Sequence, residues 1–407
     1  MPDLHATLRA GFASTEITPG KELSLFGYGF RQEKLSPGNE GVHDPLHIRA
    51  MVLEDADYRK LVFVSFDLCV IPTGLAEAWR REVADKLDTR AERVFLSATH
   101  THSGPLLLTE ELARDWGRMK DGGPPPPEIA YTEEVRRRML DAVARAQGLK
   151  YPVAPFIQQA PLGLAYDRRV KGEDGGVTLC WEPQEFPDRV PEPAVDPACS
   201  VFLLRQTNGQ RQFVLWNFGA HPVVLGKTSK VVSADFPGLA NRMLEEAMPG
   251  ARALFLNGAC GHNQPWLATQ EDPANAEIVA RGAASFVHLL AEGSRNVTTE
   301  QPLELKAAST TLELEEVKLP LSVARIGDVR IAAVPVELFG ELALSLREAV
   351  DGPLLLTTLT NGWEGYLPHE AAFAEGGYEV DIAQRFGYQP GDGERTVEAL
   401  LSLLDSL

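Results

Sequence analysis

The 407-residue chain has no apolar run approaching the roughly 18 residues that a bilayer-spanning helix needs. Its first stretch, MPDLHATLRAGFASTEITPG, holds no apolar signal core, so the protein is expected to be cytoplasmic. Cysteine is scarce: the four present (Cys69, Cys180, Cys199, Cys260) are far apart and form no C-x-x-C pair. That spacing excludes a disulfide framework and a cysteine-built zinc knuckle. Basic residues are also in short supply, 39 Lys and Arg against 57 Asp and Glu, for a net charge of −18. Such a balance argues against nucleic acid or an anionic membrane as the main partner and leaves a small-molecule substrate as the expected one. No Ser/Gly-rich linker interrupts the chain, and a single domain over 1–407 is the simplest organisation.

What the sequence does hold is alternation. Short apolar runs such as KLVFVSFD (60–67) and RVFLSA (93–98) flank an amphipathic stretch (74–87) that places Leu75, Trp79, Val83 and Leu87 on one helical face. The order recurs later: QFVLWNF (212–218), a helix over 236–248 opened by Asp235 and Pro237, then ALFLNGA (253–259). The fold class expected is mixed α/β (α+β), a sheet core flanked by helices, with two similar strand–helix–strand units feeding loops to one site. SVARIGDVRIAAVP (322–335) predicts a hairpin turning at Gly327–Asp328, followed by a helix over 337–350 and a strand over 353–361. Residues 105–200, which include the proline run DGGPPPPE (121–128), read as irregular insertions forming a rim or lid.

Histidines sit where strands end. SATHTHSGP (97–105) carries His100 and His102, NFGAHPVVLG carries His221, and NGACGHNQP carries Cys260 and His262. These, with Glu337 in AVPVELFGEL, are the residue types that ligate zinc. Two histidines at i and i+2 on an extended loop point to opposite sides, so one of His100 and His102 is expected to ligate and the other to accompany it. The same spacing weakens a Cys260/His262 pair. Ser103 lacks the G-x-S-x-G elbow of a serine hydrolase. Glu337 competes with the bland reading of a first-turn carboxylate on a helix dipole, and with Glu341 one turn on. Leu106, Leu107 and Leu108 read either as an acyl-chain wall or as core; Arg168 and Arg169 read as a solvated pair or as neutralisers of an anionic substrate.

In their order along the chain, GFASTEITPG, GVHDPLHIRAMVLED, VFVSFDLCVIPTG, SATHTHSGP, NFGAHPVVLG, FLNGACGHNQP, PVELFGEL and NGWEGYLP resemble the catalytic domain of the neutral ceramidase family. The resemblance implies a zinc-dependent hydrolase that cleaves an N-acyl amide. It implies His100, His221, Glu337 and Tyr366 as zinc ligands and His102 as the companion at the reacting centre. His262 stands where the family has an aspartate, and Gln264 where it has a serine. His262 is thus a further candidate proton donor or a contributor to a second metal, and Tyr366 a further candidate oxyanion donor. The chain also stops before the family's immunoglobulin-like C-terminal domain. The expected function is a Zn2+-dependent amide hydrolase working through activated water, on a substrate that carries an acyl chain. An ester, lactone or phosphoester hydrolase and a non-catalytic ligand-binding descendant are the alternatives.

Overall fold

The computed structural model describes residues 8–29, 38–119, 123, 125–173, 175–183, 191–297 and 303–407. Its larger sheet is built from β1 (Arg9–Glu16), β2 (His47–Glu54), β3 (Lys60–Phe66), β4 (Val94–Ala98), β5 (Tyr151–Pro161), β6 (Ala198–Gln206), β7 (Gln212–Phe218) and β8 (Ala251–Asn257). A two-residue strand, Arg295–Asn296, adds to β5. The spatial order is β8–β7–β6–β5–β1–β2–β3–β4. Helices α1 (Thr73–Leu87), α2 (Pro127–Gly148), α3 (Asp235–Ala247) and α4 (Ala274–Glu292) complete the layer above it.

This order is a duplication. In the first half β1, β2 and β3 run antiparallel, α1 crosses to β4, which lies parallel to β3, and α2 follows. In the second half β5, β6 and β7 run antiparallel, α3 crosses to the parallel β8, and α4 follows. The halves meet where Arg9 and Ala10 pair with Pro152 and Tyr151. Both strand–helix–strand units read from the sequence are therefore present, each set inside a larger repeat. Residues 105–200 are more regular than expected: they hold the 22-residue α2 and the 11-residue β5. Pro127 opens α2, where the missing N–H costs nothing. Residues 121, 122 and 124 of the proline-rich stretch lie outside the described residues.

Period-two alternation divides the apolar residues between two cores. In β3, Val62, Val64 and Phe66 face the helices, while Leu61 and Phe63 face the other way. In β7, Val214, Trp216 and Phe218 pack toward α3 and α4, and Phe213 and Leu215 point away. The second face is covered by a smaller sheet of β9 (Leu305–Glu313), β10 (Lys318–Ile326), β11 (Val329–Ala333) and, beyond the two-residue β12 (Glu337–Leu338), β13 (Leu354–Thr357). The β10–β11 hairpin turns at Gly327–Asp328, with Gly327 at φ +61. Helix α5 (Gly340–Ala349) links β11 to the parallel β13. Leu106, Leu107 and Leu108 are buried in the core under α1 and α2, the bland one of their two readings.

One feature of the large sheet positions the site. Its two ends approach each other: Ser65 Oγ on β3 donates to the Phe255 carbonyl on β8 at 2.7 Å, and Asn257 Nδ2 at the end of β8 donates to the Thr99 carbonyl just beyond β4 at 3.1 Å. The sheet is thus curled until its ends meet, and the loops after β4, β7 and β8 arrive at one place. Phe95, fully buried between the sheets with its ring 5.2 Å from that of Phe63, is a keystone of that curl. Phe95→Ala is expected to cost about 3–5 kcal/mol of stability, read by urea unfolding.

Candidate metal centre

His100 follows β4 in a left-handed conformation, φ +76, with its N–H on the Leu68 carbonyl at 2.9 Å. Its ring Nδ1 donates to the Cys69 carbonyl at 2.8 Å, which leaves the Nε2 lone pair free to bind. His221, after β7, is tied by its backbone N–H to the Asn263 carbonyl at 2.9 Å, and its Nδ1 lies 3.3 Å from the same oxygen. Glu337 comes from β12, which pairs with β14 (Tyr366–Leu367) so that Glu337 lies opposite Tyr366. Its Oε1 accepts the Trp363 indole N–H at 2.9 Å. Its Oε2 lies 2.9 Å from His221 Nε2 and 3.3 Å from His100 Nε2. The Tyr366 hydroxyl stands 3.3 Å from His221 Nε2 and accepts from Arg168 Nη2 at 3.3 Å.

Two imidazole nitrogens and a carboxylate oxygen therefore face one another, all within 4.8 Å and all buried. Lone pairs packed like this repel unless a cation lies among them. Burial pulls His221 down to about 4, Arg168 pushes the same way, and the ring is neutral and free to ligate. Burial works against the Glu337 carboxylate, but His100 and His221 outweigh it and hold its pKa well below the usual range. Burial also opposes a proton on His100, yet Cys69 and Glu337 raise its pKa well above 6.5: the pocket calls for positive charge at this point. Burial first, then Glu337, pushes Tyr366 well above 10 and keeps the phenol protonated when no cation is bound. Once a cation replaces the proton on His100, two imidazoles, one carboxylate and a phenol oxygen fit Zn2+.

His102 does not point away from His100, as the i, i+2 spacing predicts. Its Nε2 lies 3.3 Å from His100 Nε2, because the positive φ at His100 breaks the extended alternation on which that expectation rests. Gly27, at φ +112, lies over the His102 ring so closely that a Cβ there would fall 2.4 Å from Cγ. His262 is held elsewhere. Its Nδ1 is 2.9 Å from Asp167 Oδ1, and its Nε2 faces the Gly340 N–H at 2.9 Å and Glu341 Oε2 at 3.2 Å. Burial lowers its pKa, but the hydrogen bonds to Asp167 and Glu341 outweigh that and push it up to about 9. Its loop touches the centre through Gly261, where a Cβ would lie 2.7 Å from the Glu337 carbonyl. Glu341 belongs to this His262 cluster, so of the two glutamates Glu337 faces the histidines. Cys260 contacts Thr358 and is in neither group of metal-capable residues found among the described ones.

A chamber of about 170 Å3 opens beside the centre, bordered by His102, His221, Tyr366, Arg168, Gln264 and Tyr378. It shares Tyr28, Trp181 and Thr269 with an outer vestibule of about 360 Å3 edged by Glu182, Lys227 and Glu271. Arg168 and Arg169 are no surface pair: both are buried, and Glu379 meets Arg168 Nε at 2.6 Å and Arg169 Nη1 at 3.0 Å. The Arg168 guanidinium also lies 5.3 Å from the Trp181 ring centroid and 5.8 Å from that of Tyr366. Sequence reasoning passed over Glu379 and the indole donor of Trp363. NGWEGYLP held the signal for the second, since Trp363 and Tyr366 are three residues apart.

The architecture and this cluster define a mixed α/β protein with a candidate single-metal centre at the meeting point of its strand ends. The chain is similar to neutral ceramidases in sequence and shares their fold. The neutral ceramidase of Pseudomonas aeruginosa is 25% identical over 246 residues, 57% of this chain and 33% of that one. Neutral ceramidase A of Dictyostelium discoideum is 23% identical over 274 residues, 61% and 33% respectively. The Drosophila melanogaster neutral ceramidase is 31% identical over 109 residues, 25% of this chain and 14% of its own. The chain thus spans a third or less of the length of these relatives. The crystal structure of the Pseudomonas aeruginosa enzyme superposes with a TM-score of 0.78 at 17% identity, covering 98% of this chain and 74% of that one. No protein-family model matches. No helix among the described residues is long and apolar enough to cross a membrane.

Two outcomes follow from these ion pairs. Glu379→Gln leaves Arg168 buried without its counter-charge and is expected to cost about 3–5 kcal/mol in denaturant unfolding. A proton on His262 with a folded-state value near 9 stabilises the fold below the ordinary 6.5, and that contribution is lost as pH rises through 9. Melting temperature is expected to fall between pH 6.5 and 9, with a smaller fall in His262→Gln.

Proposed function

We propose that the protein is a zinc-dependent hydrolase that cleaves a carbon–nitrogen bond in an N-acyl amide. The observation that carries this reading is the convergence of His100 Nε2, His221 Nε2 and Glu337 Oε2 in a buried cluster open to a chamber on one side. Tyr366 is the fourth candidate ligand. When bound, zinc supplies a Lewis acid and makes hydroxide available near neutral pH.

The chain's own residues do the rest. The Cys69 and Asn263 carbonyls fix the rings of His100 and His221, and Trp363 orients Glu337. Tyr366, backed by Arg168, presents a phenol to the oxyanion that forms at the scissile carbonyl. His102 borders the chamber, and this reading gives it the transfer of a proton to the departing amine. Gln264 also lines the chamber, where a serine would stand by analogy with the ceramidases, so this reading gives no step to a serine nucleophile. The acyl amide occupies the inner chamber, and the rest of the substrate extends past Tyr28 and Trp181 into the vestibule. The similarity to neutral ceramidases supports an amide, and a lipid N-acyl amide is the first substrate to try.

His100→Ala and His221→Ala are each expected to lose stoichiometric zinc by elemental analysis, and with it hydrolysis of N-acyl amides. Full metal content in either variant would remove that residue from the ligand set. A panel of N-acyl amides, esters, lactones and phosphoesters assayed with the zinc-loaded protein separates the amide reading from the others. Turnover confined to phosphoesters would overturn it.

A further inference from the structure

After β1, the segment 23–29 crosses over the loop that carries His102. Leu25 bridges Pro105 in antiparallel register, and the Phe26 N–H donates to the Gly104 carbonyl at 2.9 Å. The chain then turns at Gly27, φ +112, against the His102 imidazole: a Cβ there would fall 2.4 Å from Cγ and 2.7 Å from Nδ1. Both the dihedral and the close approach call for glycine. Tyr28 follows with its ring T-shaped to that of His102, centroids 4.9 Å apart at 72°. Its hydroxyl donates at 2.9 Å to the carbonyl of Leu225, on the chain just beyond His221. The His102 ring also meets the His100 ring, at 4.8 Å and 86°, and its backbone N–H donates to the Pro222 carbonyl at 3.4 Å.

We infer that this segment is a clamp on His102, with Gly27 and Tyr28 as positioning residues for the proton transfer that the hydrolytic reading gives to that ring, on which the inference rests. A histidine side chain turns about two torsions, and its packing decides where its nitrogens point. Gly27 approaches the ring too closely for it to swing that way, and Tyr28 braces it edge to face. The tether to Leu225 joins the clamp to the chain that carries His221, so the ring is held in register with a candidate ligand. Gly27, Tyr28 and His102 all border the inner chamber. In amide hydrolysis the C–N bond breaks with its electron pair on nitrogen, which departs only with a proton; the oxygen of water stays on the acyl carbon as carboxylate. A p-nitrophenyl ester needs no such proton, because p-nitrophenolate leaves as an anion. A tyrosine that merely walled the substrate path would alter KM for both kinds of substrate. A clamp on the proton donor alters kcat, and chiefly for the amide.

Zinc-loaded full-length protein is assayed on two substrates with the same acyl chain, an alkyl amide and a p-nitrophenyl ester. Tyr28→Leu, which removes both the ring contact and the tether, is expected to lower kcat on the amide about tenfold to a hundredfold more than kcat on the ester. Gly27→Ala, which drives a methyl group into the His102 ring, is expected to shift the same ratio in the same direction. Tyr28→Phe keeps the ring and loses only the tether, and is expected to recover most of the difference. Elemental analysis for zinc and circular dichroism check that each variant is folded and loaded. Equal falls on the two substrates in both Tyr28→Leu and Gly27→Ala, or effects confined to KM, overturn the clamp while leaving the hydrolytic reading in place. No amide turnover by the wild type would instead overturn the hydrolytic reading, and the clamp with it.

Discussion

Everything around the centre serves one electrostatic constraint: two imidazole nitrogens and a carboxylate oxygen are held face to face where water cannot separate them. Such a cluster is costly to bury unless positive charge is shared among its members. The surrounding fold shows how tightly they are held. Each ring is pinned through its other nitrogen by a backbone carbonyl, the glutamate is pinned by an indole, and the tyrosine by an arginine with its own buried counter-ion. Removing any of these leaves a buried polar group without its partner, so the candidate ligands and their supports stand or fall together.

Bringing them together is the work of the curled sheet. His100 and His221 come from opposite halves of a duplicated unit, and in a flat sheet the strands they follow would lie near opposite ends. Curling joins those ends, the second sheet covers the other face, and the separate strand pair β12–β14 carries Glu337 and Tyr366. The duplication is structural and its two copies differ chemically. Where the first half ends β4 in a loop with His100 and His102, the second ends β8 in a loop with His262. That ring is occupied with Asp167 and Glu341, and its loop braces the backbone of Glu337 through Gly261. The loop after β4 thus contributes candidate metal ligands, and its counterpart after β8 contributes mechanical support.

Much of this was legible beforehand. The strand–helix–strand units, the β10–β11 hairpin and the candidacy of His100 and His221 follow from patterns that are local in the chain: apolar periodicity, a Gly–Asp turn, histidines just beyond strand ends; Tyr366 and the choice of Glu337 came only with the family resemblance. The region 105–200 was misjudged because its prolines and acidic residues conceal a helix whose apolar face, Val135, Met139, Ala142, Val143 and Ala146, is regular. The orientation of His102 was misjudged for a different reason. A left-handed residue reverses the direction of the chain locally, and for a non-glycine residue the sequence gives no sign of it.

By itself, then, the order of residues determined which elements form and which side chains are candidates for chemistry, because helix and strand periodicity and the donor character of histidine, glutamate and tyrosine are properties of short segments. Only the tertiary structure decided which of those side chains meet. It set Glu337 rather than Glu341 against the histidines, turned His262 away to a carboxylate pair, brought Cys69 behind His100 and buried Arg168 on Glu379. Those choices depend on the curl of the sheet and on pairings between residues more than a hundred positions apart, and distance along the chain carries no information about either.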